Sequence, residues 1–312
     1  MEIIKSIKEI KNIEHSAVTL GNFDGVHKGH QVLIYKTVNI AKTNGIKSVV
    51  FTFENHPANY FKPGSLKNIM NNEEKLKIFE SMGVDVVVMV PFDKYMTTVD
   101  AEEFVKEVLV SKLHTNFIVV GHDFNFAKNK TGNSKLLKSL EDKYKFDVDV
   151  VSQVLIGDIR VSSSYIRELI SNGEVDKIQN FLGKNYTMSG EVVHAKEIGR
   201  TIGFPTANIK IDENILCPKI GIYASRVLLD DEFFFGATNV GFNPTVSGKN
   251  LSIETHILDF DRDIYGKVIE VEFLEKIRNE IKFDSLNDLK EQLKIDTGFV
   301  RKDYSSKINF AK

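Results

Sequence analysis

Residues 21–30 read GNFDGVHKGH, and this stretch follows a short apolar run and precedes a segment with helical spacing. Its three glycines allow a tight turn and a close approach of the backbone to a ligand. Free N–H groups and the dipole at a helix start favour an anion, so a phosphate group is the expected occupant. His27 and His30 can project together from the first helical turn and donate hydrogen bonds to phosphoryl oxygens.

Two other interpretations of residues 21–30 stay open at this point. The stretch could be a glycine-rich turn with incidental histidines, or part of a two-histidine metal site whose further ligands lie elsewhere. It is not a Walker loop, because no Gly-Lys-Ser/Thr triplet follows, and it lacks the GxGxxG spacing. A phosphate site here therefore belongs to a different kind of nucleotide-binding fold.

Around this stretch, the first half of the chain alternates apolar runs with segments of helical period. Strands are predicted at residues 16–20, 48–53, 85–90, 117–120 and 146–154. Helices are predicted at residues 30–44, 72–82, 100–112 and 134–143, followed by a helical stretch at 163–182 that is interrupted near Gly173. Buried strands joined by crossover helices predict a doubly wound α/β domain with a parallel sheet.

Beyond Gly183 the pattern changes to short β-rich runs separated by Gly, Pro and Asn. These runs cover residues 186–194, 222–230, 232–240, 251–258 and 267–277. They predict an antiparallel β-barrel, and leucines at helical spacing in residues 285–294 predict a final helix packed on it. We therefore predict two domains, residues 1–184 and 185–312.

Composition limits the classes of function. A chain of 312 residues is long enough for two cores, and its formal net charge of −2 provides no general basic field for nucleic acid. Cys217 is the only cysteine, which excludes an intramolecular disulfide and fits a reducing cytoplasm. No apolar run is long enough to cross a bilayer, so we expect a cytoplasmic protein without membrane or nucleic-acid partners.

The glycine-rich stretch resembles the signature of the HxGH nucleotidylyltransferases in its flavin adenylyltransferase form. Three further segments agree with that family in order, namely TFENHP at 52–57, VGHDFNF at 120–126 and RVSSSYIR at 160–167. Taken alone, the last segment could be an ordinary capped helix with a solvated arginine face. Together with HxGH it is typical of a pyrophosphate grip, because a helix start and arginine forks suit phosphates.

The second half resembles riboflavin kinase at two segments. Residues 199–208, GRTIGFPTAN, end in Thr206 and Asn208, whose neutral oxygens suit Mg²⁺ that bridges ATP phosphates. Residues 254–260, ETHILDF, begin with Glu254, which the resemblance identifies as the base that accepts the proton of the ribityl 5′-hydroxyl. The alternative for Glu254 is a solvent-facing acid on a strand, and for residues 236–245 it is a simple barrel turn.

The resemblance covers almost the whole chain and implies a set of site residues. The predicted catalytic residues are His27, His30 and Glu254. The predicted ATP- and phosphate-binding residues are Gly21, Asn22, Phe23, Asp24, Gly25, Gly29, Arg160, Ser163, Ser164, Arg167, Gly199 and Gly203. Flavin binding is predicted for Asp123, Phe124, Asn239 and Arg278, and Mg²⁺ binding with ATP for Thr206 and Asn208.

These residues together predict a bifunctional enzyme of FAD synthesis whose substrates and products are riboflavin, FMN, FAD and ATP. Ala127 departs from the family pattern, which has glycine there, and a positive φ at this position would make the substitution costly. A working kinase with a decayed adenylyltransferase is therefore one alternative. A flavin-sensing protein without turnover and an enzyme that adenylylates another phosphate ester are the others.

Overall fold

The computed structural model describes residues 1–11, 13–194, 198–245 and 248–304, and for 198, 200, 243–245 and 248–250 it describes only the backbone. Contacts divide the chain into two compact units, Met1–Ser163 and a second that begins at Ser164. The predicted domain boundary at residue 184 lies later in the chain, and it remains a prediction.

The first unit contains a six-stranded parallel sheet. Its strands are β1 (Glu2–Ile4), β2 (Ser16–Leu20), β3 (Lys47–Phe53), β4 (Val86–Val90), β5 (Thr115–Gly121) and β6 (Asp147–Val151), in the order β1-β4-β3-β2-β5-β6. The strand order reverses between β2 and β5, and ligands bind at such a reversal in open α/β sheets. The GNFDGVHKGH stretch follows β2 at this point.

Helices cover both faces of this sheet. They are α1 (Lys28–Asn44), α2 (Pro57–Phe61), α3 (Asn72–Ser81), α4 (Lys94–Thr98), α5 (Ala101–Phe104), α6 (Ser134–Ser139) and α7 (Glu141–Tyr144), and α5 continues as a π-helical turn, Val105–Val110. Alternate strand residues face opposite layers: Val49 packs with Leu109, whereas Val50 belongs to the same buried cluster as Ile34 and Phe79. The predicted doubly wound domain is confirmed.

The second unit contains a closed six-stranded antiparallel barrel. Its strands are β7 (Tyr186–Val193), β8 (Ala207–Ile209), β9 (Gly221–Leu229), β10 (Glu232–Thr245), β11 (Gly248–Ile257) and β12 (Val268–Arg278), in the order β7-β8-β11-β10-β9-β12. The helices are α8 (Ser163–Asn172), α9 (Ile178–Leu182), α10 (Ile198–Thr201) and α11 (Leu286–Tyr304). The predicted barrel is confirmed.

The terminal helix α11 packs on the barrel as predicted, because Val300 forms a buried cluster with Ala224, Ala237 and Leu258. It extends ten residues beyond the predicted end at Lys294. The predicted helix ended at Lys294, but the observed helix continues through Asp296, which is only 1% exposed and pairs with a barrel arginine. A buried ion pair therefore replaces the apolar contact that the helical pattern required.

Candidate active sites

The loop between β2 and α1 has an unusual backbone. Phe23 and Val26 have positive φ angles of 49° and 39°, and Gly25 between them has a φ of 81°. Such angles are unfavourable for residues with a Cβ, so contacts around the loop must stabilise it. The Phe23 ring is fully buried, and a Cβ at Gly21 would lie only 3.0 Å from it, which explains the need for glycine there.

Hydrogen bonds from outside the loop fix two of its predicted ATP-binding residues, Asn22 and Asp24. The Asp24 carboxylate is buried and accepts the backbone N–H of Ile69 at 3.0 Å. The Ser163 hydroxyl donates to the Asp24 carbonyl at 2.9 Å, and the Thr52 hydroxyl donates to the Asn22 carbonyl at 3.1 Å. Asp24 and Ser163 thus help to shape the loop, a role that the sequence had not indicated for either residue.

His27 and His30 lie against each other at the start of α1. The Nδ1 atom of His27 accepts the backbone N–H of His30 at 3.2 Å and so caps the helix. The two rings stack with centroids 3.5 Å apart and an interplanar angle of 15°. A Cβ at Gly29 would lie 3.1 Å from the His27 ring, so glycine makes room for this stacking.

The environment of His30 opposes its protonation. Burial lowers the pKa of His30 well below its ordinary value, and the electrostatic influence of His27 and Lys75 lowers it further. Its Nδ1 atom is buried and has no hydrogen-bond partner among the described residues. Since buried polar atoms are normally paired, this nitrogen is a candidate for contact with a ligand or water.

Arg160 and Asp123, predicted to bind phosphate and flavin respectively, form an ion pair. Asp123 follows β5, and Arg160 ends a short hairpin, Ile159–Arg160 paired with Leu155–Ile156. Partial burial of Asp123 would raise the pKa of its carboxyl, but the Arg160 hydrogen bond and charge outweigh this and lower it. The two loops therefore meet at the carboxyl edge of the sheet, and the contacts of Asp123 with flavin and of Arg160 with phosphate remain predictions.

Aromatic side chains line the same edge. Phe124, predicted to contact flavin, stacks on Phe126 with ring centroids 5.5 Å apart. Phe92, after β4, contacts the rings of Tyr60 and Phe61 in α2 edge to face. The Phe61 side chain is 71% exposed, which is unusual for a large aromatic residue. The sequence prediction omitted Tyr60, Phe61 and Phe92, although two adjacent aromatic residues at 60 and 61 could have indicated a ligand-binding surface.

Ala127 has a φ of 61° and a ψ of −174°. This region of backbone conformation is essentially restricted to glycine. The positive φ that would make alanine costly in place of the family's glycine is therefore observed at Ala127. Asn129 and Lys130, in the same loop, also have positive φ angles.

Ser164 and Arg167 lie on α8, at the start of the second unit. Arg167 makes at least one interaction within the described part of the chain. Their predicted contacts with ATP phosphates remain predictions.

Strand register brings three predicted residues of the kinase half together. Glu254 on β11 lies directly opposite Asn208 on β8 and opposite Asn239 on β10. Directly paired residues point to the same face of a sheet with Cβ atoms about 5 Å apart. The neighbours Ile253 and Thr255 are almost fully buried, so the three polar side chains occupy the outer face of the barrel. The alternation of polar and apolar residues along each strand could not show in the sequence that these three side chains lie next to one another.

Asn239 carries a second sign of a ligand site. Its Oδ1 atom is buried and has no hydrogen-bond partner in the described part of the chain. A buried unpaired carbonyl oxygen is destabilising unless a ligand or water donates to it. Its position beside Glu254 makes this the most informative atom of the second site.

The loop that precedes Asn208 is held in a defined shape. The N–H of Phe204 donates to the Gly199 carbonyl at 2.8 Å, and a Cβ at Gly199 would lie 2.2 Å from the Phe204 oxygen. Gly203 has a φ of 86°, which favours glycine. His256 Nδ1 donates to the Pro205 carbonyl at 2.8 Å, and burial lowers the pKa of His256. This hydrogen bond fixes the loop to β11, next to Glu254.

Thr206 and Asn208 offer a hydroxyl and an amide oxygen two residues apart, and Glu254 lies opposite Asn208. Hard oxygen donors of this kind fit Mg²⁺ that is held mainly by phosphates and water. Among the described residues, no three His, Cys, Asp or Glu side chains are arranged to hold a metal ion. The two-histidine alternative for His27 and His30 therefore has no third ligand of these types in that part of the chain.

Arg278, predicted to bind flavin, is engaged elsewhere. Its Nε and Nη2 atoms donate to the buried Asp296 carboxylate at 2.9 and 2.7 Å, and Nη1 donates to the Asn279 carbonyl at 3.0 Å. The guanidinium therefore ties β12 to α11. A direct flavin contact remains a prediction.

No helix in the described ranges is long and apolar enough to span a membrane.

Comparison with known proteins gives two family matches. Residues 9–165 match the model described as FAD synthetase, and residues 182–303 match the model described as riboflavin kinase. A crystal structure described as a macrolide-efflux protein from Streptococcus pneumoniae is 33% identical, with a TM-score of 0.88 over 96% of this chain and 98% of that one.

Curated relatives match over nearly their full length. A bifunctional riboflavin kinase/FMN adenylyltransferase of Haemophilus influenzae is 37% identical and covers 95% of this chain and 97% of the relative. The protein of the same description from Escherichia coli strain K12 is 35% identical, covering 95% and 96%. That from Listeria monocytogenes is 36% identical, covering 90% of each. The chain therefore belongs to the family of bifunctional riboflavin kinase/FMN adenylyltransferases.

Proposed function

We propose that the barrel transfers the γ-phosphoryl group of ATP to riboflavin, giving FMN and ADP. The α/β domain then transfers AMP from a second ATP to FMN, giving FAD and pyrophosphate. The observation that carries the kinase step is the row Asn208, Glu254 and Asn239 on adjacent strands. For the adenylyl transfer it is the stacked His27 and His30 pair at the start of α1.

In the kinase step, Glu254 accepts the proton of the ribityl 5′-hydroxyl as that oxygen attacks the γ-phosphate. The role needs a carboxylate within hydrogen-bond reach of the hydroxyl, and position matters more than an extreme pKa. Thr206 and Asn208 would hold Mg²⁺, which would neutralise part of the phosphate charge when bound. The buried Asn239 Oδ1 accepts a hydrogen bond from a substrate hydroxyl, and this contact pairs its unpartnered oxygen.

In the adenylyl transfer, the FMN phosphate attacks the α-phosphate of ATP and the bond to pyrophosphate breaks. Gly21, Gly25 and Gly29 allow the backbone to approach the phosphates, and the N-terminus of α1 attracts their charge. His30, whose lowered pKa keeps it neutral near pH 7, donates one hydrogen bond to an oxygen that gains charge in the transition state. Arg160 provides a further donor for phosphate oxygens, and no covalent enzyme intermediate is needed.

For the flavin ring of FMN we propose the aromatic edge of the sheet. Phe124 is adjacent to Asp123, and the exposed Tyr60 and Phe61 form a group with the half-buried Phe92 after β3 and β4. Flat apolar rings stack favourably on such side chains. Replacing Phe61 with Ala is expected to raise the KM for FMN and leave the KM for riboflavin unchanged.

Isotope labelling tests the reaction scheme. With ATP labelled at the γ-phosphate, label is expected in FMN and FAD, because the flavin phosphate comes from that position. With ATP labelled at the α-phosphate, label is expected in FAD and never in FMN. Label from the α-position in FMN, or no label in any flavin, would contradict the proposal.

A second candidate function is a kinase whose adenylyltransferase domain no longer turns over. The observation that favours it is the strained φ of Ala127 in the loop beside Phe126. Pyrophosphate release from FMN and ATP separates the two candidates, because only the bifunctional enzyme produces it.

The boundary of the two catalytic domains belongs, in this proposal, near residue 184, close to the start of the segment 182–303 that matches the riboflavin kinase model. We further propose a cytoplasmic enzyme that has small-molecule substrates and no nucleic-acid or membrane partner. The balanced charge of the chain supports this.

A further inference from the structure

Lys75 has a position that its sequence context does not explain. It lies on α3 and its side chain is only 4% exposed, whereas a lysine on a crossover helix normally reaches water. Its Nζ atom donates to the backbone carbonyl of Asn22 at 3.3 Å and lies 3.5 Å from that of Phe53. A buried ammonium thus lies directly behind the loop that precedes α1.

That loop requires external support. Phe23 and Val26 hold left-handed backbone angles, which are unfavourable for residues that carry a Cβ. The carbonyl of Asn22, one residue before Phe23, accepts from both Lys75 and the Thr52 hydroxyl. Two donors on one oxygen fix the orientation of the peptide at which the chain enters the strained segment.

The charge of Lys75 acts on the same site. Burial lowers the pKa of Lys75 to about 8, and the nearby Asp24 carboxylate opposes this change. The ammonium is therefore still largely charged at pH 7. Burial, then His27, then Lys75 lower the pKa of His30. The charged and titratable groups that act on one another here are Asp24, His27, His30 and Lys75.

We propose that Lys75 is a positioning residue for adenylyl transfer: its buried ammonium fixes the Asn22 carbonyl, and with it the phosphate loop, and supplies positive charge behind His30. This inference rests on the adenylyl transfer proposed for residues 21–30. Lys75 acts through the loop and through His30, and it needs no contact with the substrate.

The first test compares Lys75→Met with Lys77→Met in the full chain. Lys77 is on the same helix but exposed, so it is a matched control. Lys75→Met is expected to lower kcat/KM for FAD formation from FMN by roughly 10²-fold, the usual effect of misplacing reacting groups by about 1 Å. Riboflavin phosphorylation is expected to stay unchanged, which shows that the barrel is folded. Equal FAD formation in the two variants would overturn the proposal.

The second test uses readouts that a purely structural role would not move. An NMR titration of the histidine ring protons is expected to show the pKa of His30 rising in Lys75→Met and unchanged in Lys77→Met. In the wild type, kcat/KM for FAD formation is expected to fall as the pH rises through about 8, because Lys75 loses its proton. Lys75→Arg keeps its charge and is expected to remove that fall. An unchanged His30 pKa in Lys75→Met would overturn the charge effect.

Failure of the proposed function is distinguishable from failure of this inference. If the wild type makes no FAD, the adenylyl transfer is wrong, yet the His30 titration still reports whether Lys75 acts on this histidine. If the wild type makes FAD and Lys75→Met makes it equally well, only the role of Lys75 is wrong.

Discussion

The two phosphate sites of this chain are built in different ways. The first combines a strained loop, a helix start and buried titratable groups, with His30 and Lys75 both shifted from their ordinary pKa values. The second is a row of polar side chains on adjacent strands, where register alone brings Asn208, Glu254 and Asn239 together. The first site therefore depends on loop support and local charge, and the second on the geometry of the barrel.

The largest expected effect comes from removing one chemical group at each site. His30→Ala is expected to lower FAD formation by roughly 10²–10³-fold, because a donor to the developing phosphate charge is lost. Glu254→Gln is expected to lower FMN formation by about 10²–10⁴-fold, because the proton acceptor is lost. Separate assays with FMN and with riboflavin measure the two steps. Loss of both steps in either variant would contradict two independent sites.

A smaller effect is expected from two glycines of the second site. Gly199→Ala would bring a Cβ within 2.2 Å of the Phe204 carbonyl oxygen, which is backbone and cannot move aside. Riboflavin phosphorylation is expected to fall by about 10²-fold, because the loop that carries Thr206 shifts. In Gly203→Ala the new Cβ would have no atom within 4 Å, and only the φ of 86° opposes the substitution. This variant is therefore the matched control for the steric effect. Equal losses in the two variants would argue against this account.

The barrel contains a row of three side-chain hydroxyl groups that are hydrogen-bonded to one another. Thr238 lies between Ser225 and Thr255, with oxygen distances of 2.6 and 2.8 Å, and all three side chains are fully buried. Thr238→Val leaves two buried hydroxyls without this partner and is expected to destabilise the barrel by about 1–3 kcal/mol. Hydrogen exchange of the barrel amides measures the change. Thr238→Ser keeps the hydroxyl and is expected to retain more of the protection.

The smallest expected effect concerns Ala127. Ala127→Gly relieves the φ of 61° and is expected to stabilise the α/β unit by up to about 1 kcal/mol. FAD formation is expected to rise modestly, with FMN formation unchanged. Ala127→Val is expected to change stability in the opposite direction, because a β-branched residue tolerates positive φ poorly. Thermal unfolding of the two variants checks the sign.

The sequence predicted the long, strongly patterned elements of both units. Strand β2 was predicted at its observed residues, because an isolated apolar run before a glycine loop leaves few alternatives. Strand β8, which bears Asn208, was missed because it has three residues and follows a loop rich in glycine and proline. The end of α11 was missed because Asp296 is buried as an ion pair, which a polarity pattern cannot show.

The sequence predicted the motifs of the candidate sites, but it did not predict which of their side chains lie next to one another. Local spacing was enough to bring His27 and His30 together, since His27 caps the helix that carries His30. The row through Glu254 depends on pairing between strands that are distant in sequence. Lys75 was not predicted, because a lysine in a helical segment reads as solvated unless its burial is known.

Product analysis of the unmodified chain tests the central claim most directly. Purified protein with riboflavin, ATP and Mg²⁺ is followed by chromatography over time, under oxidising and reducing conditions. The account predicts that FMN appears first and that FAD follows, with pyrophosphate released in step with FAD. FMN without FAD under every condition would contradict the first site, and flavin binding without ATP consumption would contradict both.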